Sequence, residues 1–383
     1  MSLFLVHKPV GITSFQVVQE FRPKLVALSR TPKRVALSHG GTLDPFAEGL
    51  LVLLAGPATR LMDLLHAVPK RYVATVRWGV ETHSGDLLGT VTHEAPTEGL
   101  TPPRLEAALV PFLGWTLQTP PTTSAKKIDG EPAYKKVHRG EAVTLPPSRV
   151  YLHQARFTAH DLPRTSELTL TCRGGYYVRA LVRDLGRALG SAAHVNALRR
   201  TDIGPYADPA PGRAPVELRG EAIFPWYPSR RLTDAELGAL RQGDGVAQGE
   251  LEPGRWPLPA GFPEPPPRVR AFHQGRFLRL LEPQHGEYHS AIDIEPGLYP
   301  ARVGRRGHVT PHPRAPATSN FTTGTPVTLP DFRALTRGEN EAEATHAPPS
   351  PTTRKHVERH FVAAPWPPRP RATCADAAEA EEL

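Results

Sequence analysis

Ser38-His39-Gly40-Gly41-Thr42-Leu43-Asp44-Pro45 places a single carboxylate between a glycine pair and a proline, and Phe46-Ala47-Glu48-Gly49-Leu50-Leu51-Val52-Leu53 follows it directly. Glycine permits backbone angles that other residues resist and lets another molecule approach closely, while proline fixes its own φ and biases the residue before it away from helix. The apolar run behind the turn packs against a core and holds the turn still, which makes Asp44 a candidate for chemistry. A second reading competes with this one. Asp is a preferred N-cap and Pro a preferred first helical residue, so Asp44 would then merely cap a helix running from Pro45 to Leu54. The segment alone leaves both open.

The 383 residues are enough to bury a large core and to form more than one domain, and the formal charge of +8 favours an anionic partner such as nucleic acid. That charge is unevenly placed. Residues 1–230 hold 28 Lys and Arg against 19 Asp and Glu, whereas the remainder holds 18 against 19. Two cysteines far apart, Cys172 and Cys374, argue against a disulfide framework and against a cysteine-based metal site, and the histidines show no ligand spacing, so no metal is expected. No apolar run approaches the roughly 20 residues that span a bilayer, and the N-terminus lacks a leader pattern. A soluble, cytoplasmic, monomeric protein with no membrane association and no inferred protein partner is the expectation.

Along the chain, residues 1–225 alternate strand and helix patterns. Leu3 to Val6 predicts a short strand, after which Ser14 is placed to cap a helix carrying Phe15, Val18, Phe21 and Leu25. Tyr72-Val73-Ala74-Thr75-Val76-Arg77-Trp78 is rich in β-formers and bounded by Gly79. Glu167 to Cys172 alternates in the same way and runs into Gly174-Gly175, then into a helix with Val178, Leu181, Val182, Leu185 and Leu189 on one face, closed by Gly190. Proline becomes frequent afterwards, with 13 between 201 and 270. A small β-rich module over 226–290, with a strand pair around Gln274-Gly275, and a disordered low-complexity tail over 291–383 are predicted.

Three distant segments together supply the parts of a base-handling site: Asp44, Lys70-Arg71-Tyr72 opening a strand, and Arg173-Gly174-Gly175-Tyr176-Tyr177-Val178-Arg179 at a strand-to-helix junction. An aromatic ring stacks on an extruded base, an Arg pairs with a carboxylate, and glycines admit a sugar-phosphate backbone. Taken singly, Tyr72 reads more readily as a half-buried strand residue and Arg179 as one on a solvated helix face.

In order along the first 205 residues or so, the chain resembles the bacterial TruB-type tRNA pseudouridine synthases. The resemblance rests on Lys8-Pro9-Val10-Gly11-Ile12-Thr13-Ser14, the His39 to Asp44 motif, and Ala55-Gly56-Pro57-Ala58-Thr59-Arg60. It continues through Lys70-Arg71-Tyr72, the Gly79 to Gly89 segment, and Thr119-Pro120-Pro121 leading to Ser124-Ala125-Lys126-Lys127. Gly130 to Tyr134, the Arg173 to Arg179 segment and Gly190 to Arg200 complete it. Ser38 and Gly40 depart from the residues usual beside the histidine, His83 replaces a common acidic residue, and Thr122-Thr123 stand where larger side chains are frequent.

The resemblance implies an α+β pseudouridine synthase fold, with a mixed, mostly antiparallel central sheet flanked by helices. It implies an isomerase that converts the T-loop uridine of tRNA, position 55, to pseudouridine after flipping it out. By the same likeness Asp44 is the nucleophile, Tyr72 stacks on the base and is a candidate for proton transfer, and Arg179 pairs with Asp44. His39, Tyr177 and Leu198 match substrate-binding positions, and a PUA-like RNA-binding module, here abbreviated to 226–290, is common in the family. Breaking the C1′–N1 bond and joining C1′ to C5 involves no redox change and no group donor, so no cofactor is required. Lys126, Lys127, Arg199 and Arg200 are candidates for the RNA backbone, against a plain solvated basic face. A non-catalytic RNA-binding or tRNA-folding protein on this scaffold predicts loss of one of Asp44, Tyr72 and Arg179, all of which are present. An unrelated aspartate hydrolase predicts a second carboxylate nearby, for which Glu48 is the nearest candidate.

Overall fold

The structure is a computed structural model that describes residues 2–28, 36–124, 126–128 and 130–294. The tail expected to be disordered lies almost wholly outside the described residues, as does Cys374. Strand β1 (Ser2–Lys8) and helix α1 (Ser14–Leu28) precede β2 (Leu37–His39), β3 (Glu48–Ala55), a 3-10 segment (Gly56–His66), β4 (Lys70–Trp78) and the short pair β5 (Val80–Thr82) and β6 (Val91–Glu94). Next come α2 (Pro102–Leu109), β7 (Gly114–Gln118), β8 (Lys127–Ile128), β9 (Glu131–Pro132), α3 (Ala133–His138), the long β10 (Ser148–Asp161) and β11 (Thr165–Cys172). Helix α4 (Val178–Ala188), β12 (Ala193–Ile203), β13 (Tyr206–Ala207) and β14 (Val216–Leu218) complete the first sheet.

That sheet has ten strands in the order β14-β1-β3-β12-β4-β11-β10-β7, with β2 paired to β3 and β13 to β12. All its neighbours run antiparallel except β3 and β12, which meet in parallel through Arg199 opposite Glu48 and Arg200 opposite Gly49. The fold is therefore the α+β class with a mostly antiparallel sheet. In β4 burial alternates along the whole strand, and Tyr72, Ala74, Val76 and Trp78 share one core with Leu168, Leu170 and Cys172 of β11. Against that face lies the apolar stripe of α4, formed by Val178, Leu181, Val182 and Leu185, and Gly190 ends the helix region at φ 69°.

The run after Asp44 corrects the helix reading. Glu48–Ala55 is a strand, and Asp44 caps nothing. Leu50, Val52 and Leu54 pack into one core while Leu51, Leu53 and Ala55 pack into another. A strand buried on both faces loses the alternation that normally marks strands, and a run of leucines then mimics a helix. Gly49 fixes the entry: its φ is 108°, and a Cβ there would lie 2.3 Å from the Arg200 carbonyl oxygen.

The second sheet has five strands in the order β15-β17-β18-β19-β16 and carries a short helix. Its elements are β15 (Ser229–Arg231), α5 (Asp234–Gln242), β16 (Val246–Ala247), β17 (Val269–His273), β18 (Arg276–Gln284) and β19 (Glu287–Asp293). Helix α5 starts on a capping box, Thr233 with Glu236. The hairpin turns through Gln274 and Gly275, at φ 47° and 73°, the positive angles a two-residue turn between right-twisted strands requires. Phe224, Trp226, Phe272, Phe277 and Leu280 join Leu3, Leu50, Leu54 and Ile203 of the first sheet in one core, so the two sheets are packed as a continuous body. Among the described residues no helix is long and apolar enough to cross a membrane.

Candidate active site

The loop that carries Asp44 is held from beneath by three buried side chains. Lys8, completely buried at the end of β1, donates to the carbonyls of Ala47 (2.6 Å), Pro9 (2.9 Å) and Pro45 (3.4 Å). Ser14 receives a hydrogen bond from the Leu43 N–H (2.8 Å), with its Oγ also 3.0 Å from the Leu43 carbonyl. Arg200, 1% exposed, donates to the carbonyls of Leu50 (2.8 Å), Gly41 (3.0 Å) and Thr42 (3.4 Å). These bonds satisfy a loop that would otherwise bury its carbonyls without partners.

Two expectations change with this. Ser14 does not cap α1; Thr13 does, its Oγ1 accepting from the Gln16 N–H (3.1 Å) while Gln16 accepts from the Thr13 N–H (2.7 Å). Arg200 is no solvated surface cation either: its guanidinium bonds the loop from below, and the residue lines the cavity above the loop.

Above the loop lies a cavity of about 290 Å³. Asp44, Tyr72, Tyr177, Arg179 and Leu198 all line it, with Leu43, Lys70, Lys126 and Arg173 among the other walls. Arg179 Nε is 2.8 Å from Asp44 Oδ2, with the arginine buried and the aspartate side chain about one third exposed. The far side of the same guanidinium is fixed by the Ser84 carbonyl (2.6 Å), Thr123 Oγ1 (2.7 Å) and Asp86 Oδ2 (3.4 Å). Asp86 is itself oriented by Ser84 Oγ (2.8 Å) and the Leu88 N–H (3.0 Å). Asp44 thus meets a counter-charge that cannot swing away.

Tyr72 is buried on β4 near Arg200; burial pushes its phenol up, so it stays protonated. Tyr177 is set by its main chain, whose N–H donates to Gln118 Oε1 (2.9 Å) and whose carbonyl accepts from Gln118 Nε2 (3.1 Å). Burial pushes the Tyr177 phenol up too, and the Asp44 charge adds to the push. Lys70, buried under the cavity with Nζ on the Leu65 carbonyl (2.5 Å), is lowered to about 7 by burial first and by Arg200 second. Lys8 is lowered to about 8, again by burial first. A carboxylate about one third exposed, a fixed arginine and two protonated tyrosines beside Leu198 and Leu43 make a slot for a flat polar ring, with the carboxylate at its edge.

Other residues singled out from sequence fall elsewhere. His39 ends β2, half-buried, with its imidazole lowered by burial and then by Arg200, and it does not line the cavity. Arg199 pairs with Asp208 (2.7 Å), which also meets His7 (3.0 Å). The Lys127 side chain is outside the described residues. Lys126 lines the cavity. Gln118 and Thr123 were not foreseen, and nothing local marks them, because each acts on a residue more than fifty positions away.

Residues 30–178 match the family model described as TruB family pseudouridylate synthase, N-terminal domain, and residues 179–212 match the model for the tRNA pseudouridylate synthase B C-terminal domain. A tRNA pseudouridine synthase B of Bordetella avium is 39% identical over 210 residues, covering 54% of this chain and 82% of that protein. The chain belongs to the TruB family of pseudouridylate synthases. Another TruB-family relative, tRNA pseudouridine synthase B of Thermobifida fusca, is 34% identical over 286 residues, 71% of this chain and 94% of that protein. Among solved structures, an H/ACA RNP bound to a substrate RNA containing 2′-deoxyuridine aligns with TM-score 0.52 and 18% identity, covering 77% of this chain and 85% of that one. A Cbf5-Nop10-Gar1 complex aligns with TM-score 0.51 and 21% identity, covering 77% and 84%. At those identities the likeness is one of fold.

Proposed function

We propose that this TruB-family enzyme isomerises uridine to pseudouridine in tRNA, acting on the T-loop uridine at position 55. The observation that carries the reading is the Asp44–Arg179 contact at the mouth of a cavity walled by Tyr72, Tyr177 and Leu198. The uridine leaves the stacked loop, at a cost of a few kcal/mol, and stacks against Tyr72. The Asp44 carboxylate attacks the nucleoside to form a covalent adduct, splitting one hard step into easier ones. The C1′–N1 bond breaks, the freed uracil turns, C1′ bonds to C5, the bond to Asp44 breaks and returns its carboxylate, the proton on C5 is lost and N1 gains one. Atoms and electrons balance without any co-reactant. Tyr72, protonated and beside the base, is the candidate for the proton transfer, and Arg179 keeps Asp44 aimed throughout. Lys126 meets the RNA backbone at the cavity rim. The sheet over 229–293 serves as an abbreviated PUA-like RNA-binding module.

The test is incubation with an unmodified tRNA transcript and mapping of pseudouridine. Wild type modifies the T-loop uridine, and Asp44→Ala falls by about 10⁴-fold or more, as expected when a nucleophile is removed. Full activity in Asp44→Ala, or an untouched T-loop uridine with wild type, overturns the reading.

A further inference from the structure

Strand β7 lies at the edge of the ten-stranded sheet and exposes two large apolar side chains, Trp115 at 44% and Leu117 at 74%. Open apolar residues on an edge strand invite unwanted pairing, so their presence calls for an occupant. Register places Trp115 opposite Tyr151 and Leu117 opposite Arg149 on β10, all on one face. Phe262 covers the far end of this strip, edge-on to Tyr151 at 5.6 Å, while the Tyr151 hydroxyl donates to the Gly261 carbonyl (2.8 Å). Trp115 packs beside it against Tyr151, with 5.2 Å between ring centroids, and stays partly open to solvent. Two guanidiniums lie over its ring, Arg149 at 4.5 Å and Arg173 at 5.9 Å from the centroid. Neither β7 nor β10 carries a carboxylate before Asp161, the last residue of β10. Arg173 also lines the catalytic cavity, so the strip begins one side chain away from the site.

We propose that Trp115, flanked by Arg149 and Arg173, is a stacking platform for an unpaired nucleobase of the RNA substrate outside the catalytic cavity. The claim rests on the reading of this protein as an RNA-modifying enzyme. An indole ring offers a π-face to any base, and the two arginines receive the phosphates on either side of it. A protein partner would meet the opposite chemistry, an uncancelled pair of positive charges around the ring, and would lean on Leu117, the more exposed residue.

The experiment uses the full chain and an unmodified tRNA transcript. Binding is followed by filter retention and by quenching of tryptophan fluorescence, and pseudouridine formation is followed in single turnover at saturating protein. Trp115→Ala raises Kd about tenfold and loses much of the quench, with the saturated single-turnover rate unchanged; Trp115→Phe restores most of the affinity. Arg149→Gln reduces the salt dependence of binding by about one phosphate contact, and Leu117→Ala stays within twofold. A Trp115→Ala protein that binds within twofold of wild type with its quench intact overturns the platform. So does a wild-type dimer that both Trp115→Ala and Leu117→Ala convert to monomer while RNA affinity holds, which would assign the face to a second copy. Failure of the wild type to form pseudouridine would count against the proposed function and leave the affinity comparison to be read on its own.

Discussion

Buried cations support both sheets, and they do so in opposite ways. Beneath the Asp44 loop, Lys8, Lys70 and Arg200 donate to main-chain carbonyls. In the second sheet, Arg270 and Arg279 also donate to carbonyls, but each meets a carboxylate as well, Glu221 at 3.4 Å and Asp293 at 3.3 Å. The second arrangement is electrically closed and serves as architecture. Under the first, carbonyls rather than paired carboxylates meet the cations, and the field they leave beneath the cavity favours an anionic ligand. Arg179 stands between the two regimes: its carboxylates are Asp86, which holds it, and Asp44, which it serves.

The comparison is tested most severely at Arg179. Lysine there keeps the charge but cannot reach Asp44, Asp86 and the Ser84 carbonyl in one plane, so Arg179→Lys lowers the single-turnover rate by about 10²- to 10³-fold. A loss under threefold would mean that charge alone suffices.

A second test uses pH. Lys70, lowered to about 7, and Lys8, lowered to about 8, have unfolded values near 10.5, so from pH 7 to 9 the unfolded chain binds more protons than the native one. Unfolding free energy therefore rises with pH in that window, by roughly 4 kcal/mol, and the gain is lost again as pH falls towards the native values. Urea titrations at pH 7 and 9 measure it, and Lys70→Met removes most of the slope. Above about pH 9 the buried Cys172 thiol, pushed up to about 12, acts in the other direction, because the unfolded chain gives up a proton that the native state keeps. A flat profile would show that the cations under the loop are as well compensated as those of the second sheet.

The smallest effect is expected where charges are already cancelled. Glu221→Gln leaves Arg270 with its carbonyl partners and costs about 1 kcal/mol of stability, with the single-turnover rate unchanged. A change in rate would link the second sheet to the chemistry.

Much of the fold and of the site was legible in the residues. The alternation of Tyr72 to Trp78 and the stripe from Val178 to Leu185 gave the strand and the helix that bring Tyr72 and Arg179 to Asp44. Two failures have physical causes. The Leu50 to Leu54 run lies between two cores, so its strand period vanished. Arg199 and Arg200 read as one basic patch because they are adjacent, yet successive strand residues point to opposite faces, and one turns to Asp208 while the other turns beneath the Asp44 loop. Partners such as Gln118 and Thr123 leave no trace in sequence, since their roles exist only once distant segments meet.

Strand β12 comes last among the long strands of the first sheet and yet takes a place in its middle, between β3 and β4. A chain emerging from the ribosome can pair β1 with β3, and β4 with β11, while the seam between these two halves stays open. Only when residues 193–203 arrive does the seam close, and the same strand delivers Arg200 to the loop of Asp44 and Leu198 to the cavity wall. Such non-local closure is slow to form. Synthesis itself thus withholds the finished cavity until the sheet is sealed, and a nascent chain that stops short of residue 193 carries Asp44 and Arg179 without the arginine that holds the loop from below.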